Sequence, residues 1–180
     1  KHIPLASINP NFAQNTITFS SASKTFNIAG LASGFVIIPN PDMMKMYKLE
    51  LEASGAGMGN IFGNEAVKAA FSLQGEEWLN ELLQYFEGNI NLVERILKQY
   101  LPKLKFTKPQ GTYLLWLDFR EFEIGDEALN KKLINEVGLG LNAGNGFGTE
   151  GAGFQRMNIA CPRSVVQIAL NKLIDSFKNC

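Results

Sequence analysis

The sequence predicts an α/β chain that ends in a small α+β domain, and three observations carry this reading. Residues 76–100 repeat apolar side chains every three or four places: Leu79, Leu82, Leu83, Phe86, Ile90, Val93, Leu97 and Tyr100. That is the spacing of an amphipathic helix. After Pro102 the pattern becomes strand-like over residues 104–107 and 112–118. A last helical period places Val166, Ala169, Leu170, Leu173, Ile174 and Phe177 on one face. Helix, hairpin, helix, two strands and helix, in that order, form one sheet-and-helix domain. It spans residues 57–180, and residues 1–56 form a separate N-terminal stretch.

The elements follow in order. Residues 16–19 and 35–38 read as short apolar strands. Pro39-Asn40-Pro41-Asp42 breaks the chain and starts a helix over 41–54, with Asp42 in its first turn and Gly55 ending it. Residues 53–59, Ala-Ser-Gly-Ala-Gly-Met-Gly, form a small-residue connection at the domain boundary. Asn64 is predicted to cap a helix running to Phe71. Pro102 stops the long helix. Pro109-Gln110-Gly111 turns one strand into the next. A helix from Gly125 or Asp126 carries Leu129, Leu133, Ile134 and Val137. Residues 138–142 read as a short strand, 144–153 as a flexible glycine-rich loop at the edge of a site, and 154–160 as a further strand. Trp78 and Trp116 are expected in the core or at a domain interface.

Composition excludes several classes. Among 180 residues, 17 Lys+Arg balance 17 Asp+Glu. A neutral chain without a basic block offers no electrostatic reason for a nucleic-acid or anionic-membrane partner. No apolar stretch approaches the roughly 20 residues of a membrane span. Cys161 and Cys180 are too few for a disulfide framework, which suits a reducing, cytoplasmic setting. One histidine and scattered acids argue against a metal site.

Two segments carry chemistry. The first is Ser21-Ala22-Ser23-Lys24-Thr25-Phe26-Asn27-Ile28-Ala29-Gly30-Leu31. A lysine is usually a solvated surface charge. Here it stands between serines and an apolar turn, a setting in which an amine can lose its proton and hydroxyls can meet a phosphate. The second is the strand Phe154-Gln155-Arg156-Met157-Asn158-Ile159-Ala160-Cys161. Alternation puts Gln155, Met157, Ile159 and Cys161 on the core face and Arg156 on the other. A guanidinium there can fork a carboxylate, or it can be a rim arginine facing solvent, the commoner outcome of alternation alone. Arg163 sits where a helix dipole disfavours a cation, so a structural salt bridge is expected. Cys161 reads as a small buried apolar residue.

The lysine run resembles the cofactor-lysine segment of the class I/II aminotransferases of fold type I, in their cystathionine β-lyase-like, C–S lyase branch. The segments Asn60-Ile61-Phe62-Gly63, Glu76-Glu77-Trp78-Leu79, 111–118 and 138–163 resemble the same family in order and spacing. The resemblance implies pyridoxal 5'-phosphate as cofactor, Lys24 as its Schiff-base lysine and catalytic base, Ser21 and Ser23 as phosphate contacts, and Arg156 as the clamp on the substrate α-carboxylate. It implies a small amino-acid substrate and a homodimer. The start at Lys1-His2-Ile3-Pro4 resembles the interior of the family's large domain. The chain therefore reads as a C-terminal portion of the fold, inactive alone, with residues 1–56 a remnant of the cofactor-binding domain. The family's partners for the pyridine ring would precede Lys1, and Ala32 stands where aminotransferase relatives carry a phosphate-binding arginine. The implied reaction is β-elimination from cystathionine- or cysteine-type substrates. Transamination, or a non-catalytic regulatory or scaffold role on the same fold, stays open.

Overall fold

Asparagine and proline start the helices of the N-terminal part of the chain. The computed structural model describes residues 2–179, and contacts gather into two compact units, Lys1–Glu81 and Leu82–Cys180. In the first unit Asn9 caps α1 (Pro10–Gln14), accepting from Phe12 N at 3.0 Å. β1 (Thr18–Ser20) pairs antiparallel with β2 (Phe35–Ile37), Phe19 facing Val36. β1 starts two residues later than residue 16 because Thr16 donates its hydroxyl back to Phe12 O at 2.6 Å. Asn40 caps α2 (Pro41–Ala53), accepting from Asp42 N and Met43 N. Pro41 sets the first helical φ, and Asp42 opposes the positive end of the dipole. The helix stops before Gly55, whose φ is +66°.

The cap of α3 (Ile61–Ala70) is Asn60, which accepts from Phe62 N at 3.0 Å. Asn64, expected to be the cap, lies one turn inside the helix. An asparagine four residues earlier already meets an orphan N–H of the first turn, so the helix starts there.

The helix α4 (Leu73–Tyr100) is 28 residues long and crosses the division between the units. The division therefore falls inside α4, while the boundary expected at 56/57 falls between α2 and α3. In the second unit Ile90, Val93 and Leu97 of α4 are buried, as the stripe requires. Leu83 and Tyr100, at its edges, are about half exposed, at 53% and 48%.

Four antiparallel strands form the sheet of the second unit: β3 (Lys105–Phe106), β4 (Leu114–Asp118), β5 (Asn142–Ala143) and β6 (Phe154–Asn158), in the order β3-β4-β6-β5. Leu115, Leu117, Met157 and Ile159 point to one face, where residues of α4, α5 (Asp126–Lys131) and α6 (Arg163–Phe177) cover them in a single apolar cluster. Trp116 alternates to the opposite face, so it is not a core residue.

The α5 helix continues as a π-turn over Lys132–Val137. Leu129, Leu133 and Val137 are buried, but Ile134, expected beside them, is 61% exposed. A wider turn repeats its face every four to five residues and carries Ile134 away from the core. The strand expected at 138–142 is reduced to Asn142–Ala143. Gly138, at φ +70°, terminates the helix, and Leu139 N bonds back to Leu133 O at 2.8 Å. Residues 138–141 are used in leaving the helix.

No helix among the described residues is long and apolar enough to cross a membrane. Cys161 is a free, half-buried thiol that burial pushes up from its ordinary pKa. Cys180 lies outside the described residues.

Leu173 is fully buried in α6, whereas Ile168 on the same helix is 56% exposed. Leu173→Ala should cost about 2–5 kcal/mol of unfolding free energy through lost transfer and cavity terms. Ile168→Ala should stay within about 0.5 kcal/mol. Urea unfolding of both variants checks this, and equal costs would refute the assigned face of α6.

Candidate active site

Lys24 is carried by a single helical turn closed at both ends by backbone bonds. Phe26 N donates to Ala22 O at 2.9 Å, and Ile28 N donates to Ser23 O at 3.0 Å. Asn27 takes φ +55° between them. This is the Schellman closure of a helix end, with asparagine in the left-handed position that glycine usually fills. The turn is tied down on both sides. Ala22 is buried, and Phe26 stacks on Trp78 with centroids 5.8 Å apart. Trp78 thus packs against the lysine turn yet stays 45% exposed.

The serines differ in their engagement. Ser21 Oγ donates to Ser33 O at 2.7 Å and accepts from Ser23 N at 3.0 Å. The Ser23 hydroxyl has no hydrogen-bond partner among the described residues. The Lys24 amine likewise has no ion-pair partner there, and the residue is exposed. The desolvation that lysine chemistry asks for is therefore not supplied within this unit. Beyond the turn, the start of α3 seats the chain closely. Asn60 Nδ2 donates to Leu31 O at 3.2 Å, and a Cβ on Gly63 would collide with Ser33 Oγ. Ala32 turns through φ +48°.

Arg156 occupies the middle of β6 in the second unit, facing Trp116 on β4 and Asn142 on β5. Alternation resolves as the sequence suggests: Gln155, Met157 and Ile159 are buried, and Arg156 lies half-buried on the opposite face. Its Nη2 donates to Asn142 Oδ1 at 3.0 Å, and its guanidinium carbon stands 4.6 Å from the Phe147 ring centroid. Its Nε is buried with no hydrogen-bond partner among the described residues. No acidic side chain pairs with it among the described residues, so the arginine is not consumed by a structural ion pair. Sequence reasoning missed Asn142 and Phe147. The available signal was the strand–loop–strand order of residues 142–156, which brings a β5 side chain opposite Arg156.

Arg163 departs from expectation. It makes no salt bridge among the described residues; Nε donates to Asn89 Oδ1 at 3.0 Å, Nη2 donates to Tyr85 O at 3.1 Å, and the guanidinium lies over the Tyr85 ring. Neutral acceptors and an aromatic face hold the cation in place of an acid. Asn89, fully buried, also donates to Ile159 O and Cys161 O. It ties α4 to the end of β6. Its place between Phe86 and Val93 on an apolar stripe was the sequence signal.

The lysine turn and the arginine strand both lie inside one family match. The chain belongs to the class I and II aminotransferases, whose family description, Aminotransferase class I and II, matches residues 4–173. Among named relatives, the cystathionine beta-lyase PatB of Bacillus subtilis is 38% identical over 173 residues, covering 96% of this chain and 44% of that protein. Protein MalY of Escherichia coli is 34% identical over 160 residues, covering 88% and 41%. Among solved structures, cystalysin of Treponema denticola, which contains a pyridoxal 5'-phosphate cofactor, superposes with a TM-score of 0.91 at 32% identity. That match covers 99% of this chain and 45% of cystalysin. The chain thus spans under half the length of these relatives.

On the Arg156 face, Asp118 accepts from Arg120 Nε at 2.9 Å and from Arg120 Nη2 at 2.7 Å. These side-chain bonds hold the Asp118 carboxyl below its ordinary pKa, against an opposing effect of burial. A depressed carboxyl stabilises the fold above its unfolded value of about 3.9 and loses that contribution as pH falls through the folded value. Asp118→Asn should therefore flatten the decline of stability below about pH 4. Urea unfolding at pH 7 and pH 3 measures this, and an unchanged acid slope would overturn it.

Proposed function

We propose that the whole protein is a pyridoxal-phosphate-dependent C–S β-lyase acting on cystathionine- or cysteine-type amino acids. In this reading residues 1–56 belong to its cofactor-binding domain and residues 57–180 form its C-terminal small domain. The observation that carries the reading is the turn that presents the Lys24 amine, with no ion-pair partner among the described residues, directly after Ser21 and Ser23. The donor set fits the aldehyde and phosphate ends of the cofactor: one primary amine without an ion pair among the described residues, and two hydroxyls in or just before the same turn. The Ser23 hydroxyl is open. The Ser21 hydroxyl is already engaged twice, so its share of a phosphate contact requires giving up the bond to Ser33. The chemistry contributed by bound pyridoxal phosphate is an aldehyde carbon open to amines and an electron-withdrawing ring.

Lys24 Nζ is the group that holds and moves the substrate α-proton. Arg156 binds the α-carboxylate: with Nη2 already held by Asn142, the outer edge of the guanidinium is left for a bidentate contact. Neither residue chooses between losing a thiolate from the β-carbon and returning the proton elsewhere. Likeness to PatB favours β-elimination, and the family description keeps transamination as the second reading. A cytoplasmic homodimer belongs to the proposal by likeness to the family; light scattering on the full-length protein tests the dimer.

In the full-length protein, Lys24→Ala should abolish turnover of cystathionine, read as pyruvate and keto acid, and should abolish borohydride trapping of cofactor on the peptide holding residue 24. Adduct on another lysine would refute the assignment. Arg156→Ala should weaken amino-acid binding roughly ten- to a hundredfold, the scale of a charged bidentate contact. Arg156→Lys should recover only part of it, because an ammonium lacks the planar fork. An unchanged specificity constant would make Arg156 a rim arginine.

A further inference from the structure

The outer face of the second unit's sheet carries a continuous stack of rings with a cation at each end. Arg120 lies over Phe154 at 4.6 Å, Phe154 stacks on Trp116 at 5.5 Å, Trp116 meets Phe147 edge-on at 5.6 Å, and Phe147 lies on Arg156 at 4.6 Å. Three of these side chains come from β4 and β6. Phe147 comes from the glycine-rich loop, which is packed tightly. Gly144 and Gly151 are buried against each other's backbone, and a Cβ on either would collide with the other's carbonyl. Gly148 ends the turn of Phe147 at φ +132°, a conformation side chains rarely adopt. The loop is thus a built support for one ring, not a loose rim.

We propose that Phe147 and Asn142 are positioning residues that fix the plane of the Arg156 guanidinium for the substrate carboxylate. This rests on reading Arg156 as the carboxylate clamp. The two contacts are complementary. Asn142 Oδ1 holds one edge through Nη2 at 3.0 Å, and Phe147 holds one face. The Nε edge is sealed from solvent without a partner among the described residues, so it does not compete for carboxylates. An arginine side chain free to rotate must be ordered when it binds, and that cost is met in advance when its plane is held. A cation over an aromatic face adds attraction without neutralising the charge that the carboxylate needs, which a carboxylate partner would do.

The test uses the full-length holoenzyme and 3-mercaptopropionate, a carboxylate without an α-amine, whose binding is read by calorimetry without turnover. Phe147→Leu and Asn142→Ala should each raise its Kd roughly three- to tenfold. Phe147→Tyr, which keeps the aromatic face, should stay within about twofold of the parent. For the amino-acid substrate, KM should rise in Phe147→Leu and Asn142→Ala while kcat changes less. In an Arg156→Ala background both substitutions should lose their effect, because they act through the guanidinium. Normal binding by both variants, or an equal loss in the Arg156→Ala background, would overturn the proposal. Asn142 is exposed, so its variant tests the idea even where Phe147→Leu disturbs the loop. If Arg156→Ala itself binds the probe normally, the carboxylate reading fails. If it binds weakly while Phe147→Leu and Asn142→Ala bind normally, only the positioning role fails.

Discussion

The antiparallel pairing of β4 with β6 is the constraint on which the second unit depends. Five residue pairs, from Leu114 opposite Asn158 to Asp118 opposite Phe154, set a register that places every side chain on one face or the other. One face receives Leu115, Leu117, Met157 and Ile159 and is covered by helices. The other receives Trp116, Phe154 and Arg156. A slip of one residue would drive Arg156 into the apolar cluster and expel Met157, at the cost of an unpaired buried charge and a lost core contact. Core burial thus determines where the arginine points.

Buried asparagine at α4 complements this arrangement. Asn89 meets two carbonyls at the end of β6 and the Nε of Arg163 at the start of α6. The turn between strand and helix would otherwise leave these carbonyls unpaired next to the core. A polar side chain at the centre of an apolar stripe is costly unless fully bonded, and here both ends of the carboxamide are used. The lysine turn of the first unit follows the same logic on a smaller scale. Its backbone bonds close among themselves, Ser21 spans to Ser33, and the Lys24 amine and the Ser23 hydroxyl are left without a partner among the described residues.

Much of the fold was legible because it depends on local periodicity. The α6 face from Val166 to Phe177 is the face that is buried, and the Ile90–Leu97 part of the α4 stripe meets the core. The alternation of β6 put Arg156 on the correct face. Other readings failed for identifiable reasons. Asn64 lost the cap of α3 to Asn60, since two asparagines four residues apart are equally good caps in isolation. Ile134 left the core face because the helix widens to a π-turn, which a period of 3.6 does not anticipate. Arg163 found neutral acceptors because its partners lie on α4, far away in sequence.

Sequence alone determined most of the element types and the family, and it singled out Lys24 and Arg156 as the candidates for chemistry. These are properties of short motifs and of apolar spacing, and both are local. Tertiary structure alone decided which groups stand beside them. Asn142 and Phe147 reach Arg156 only because β5 and its following loop return alongside β6. Ser21 reaches Ser33 only because β1 and β2 pair across the lysine turn. Such contacts join residues from nine to fourteen places apart in the chain, and their geometry is set by strand pairing and packing, which no local pattern of residue types encodes.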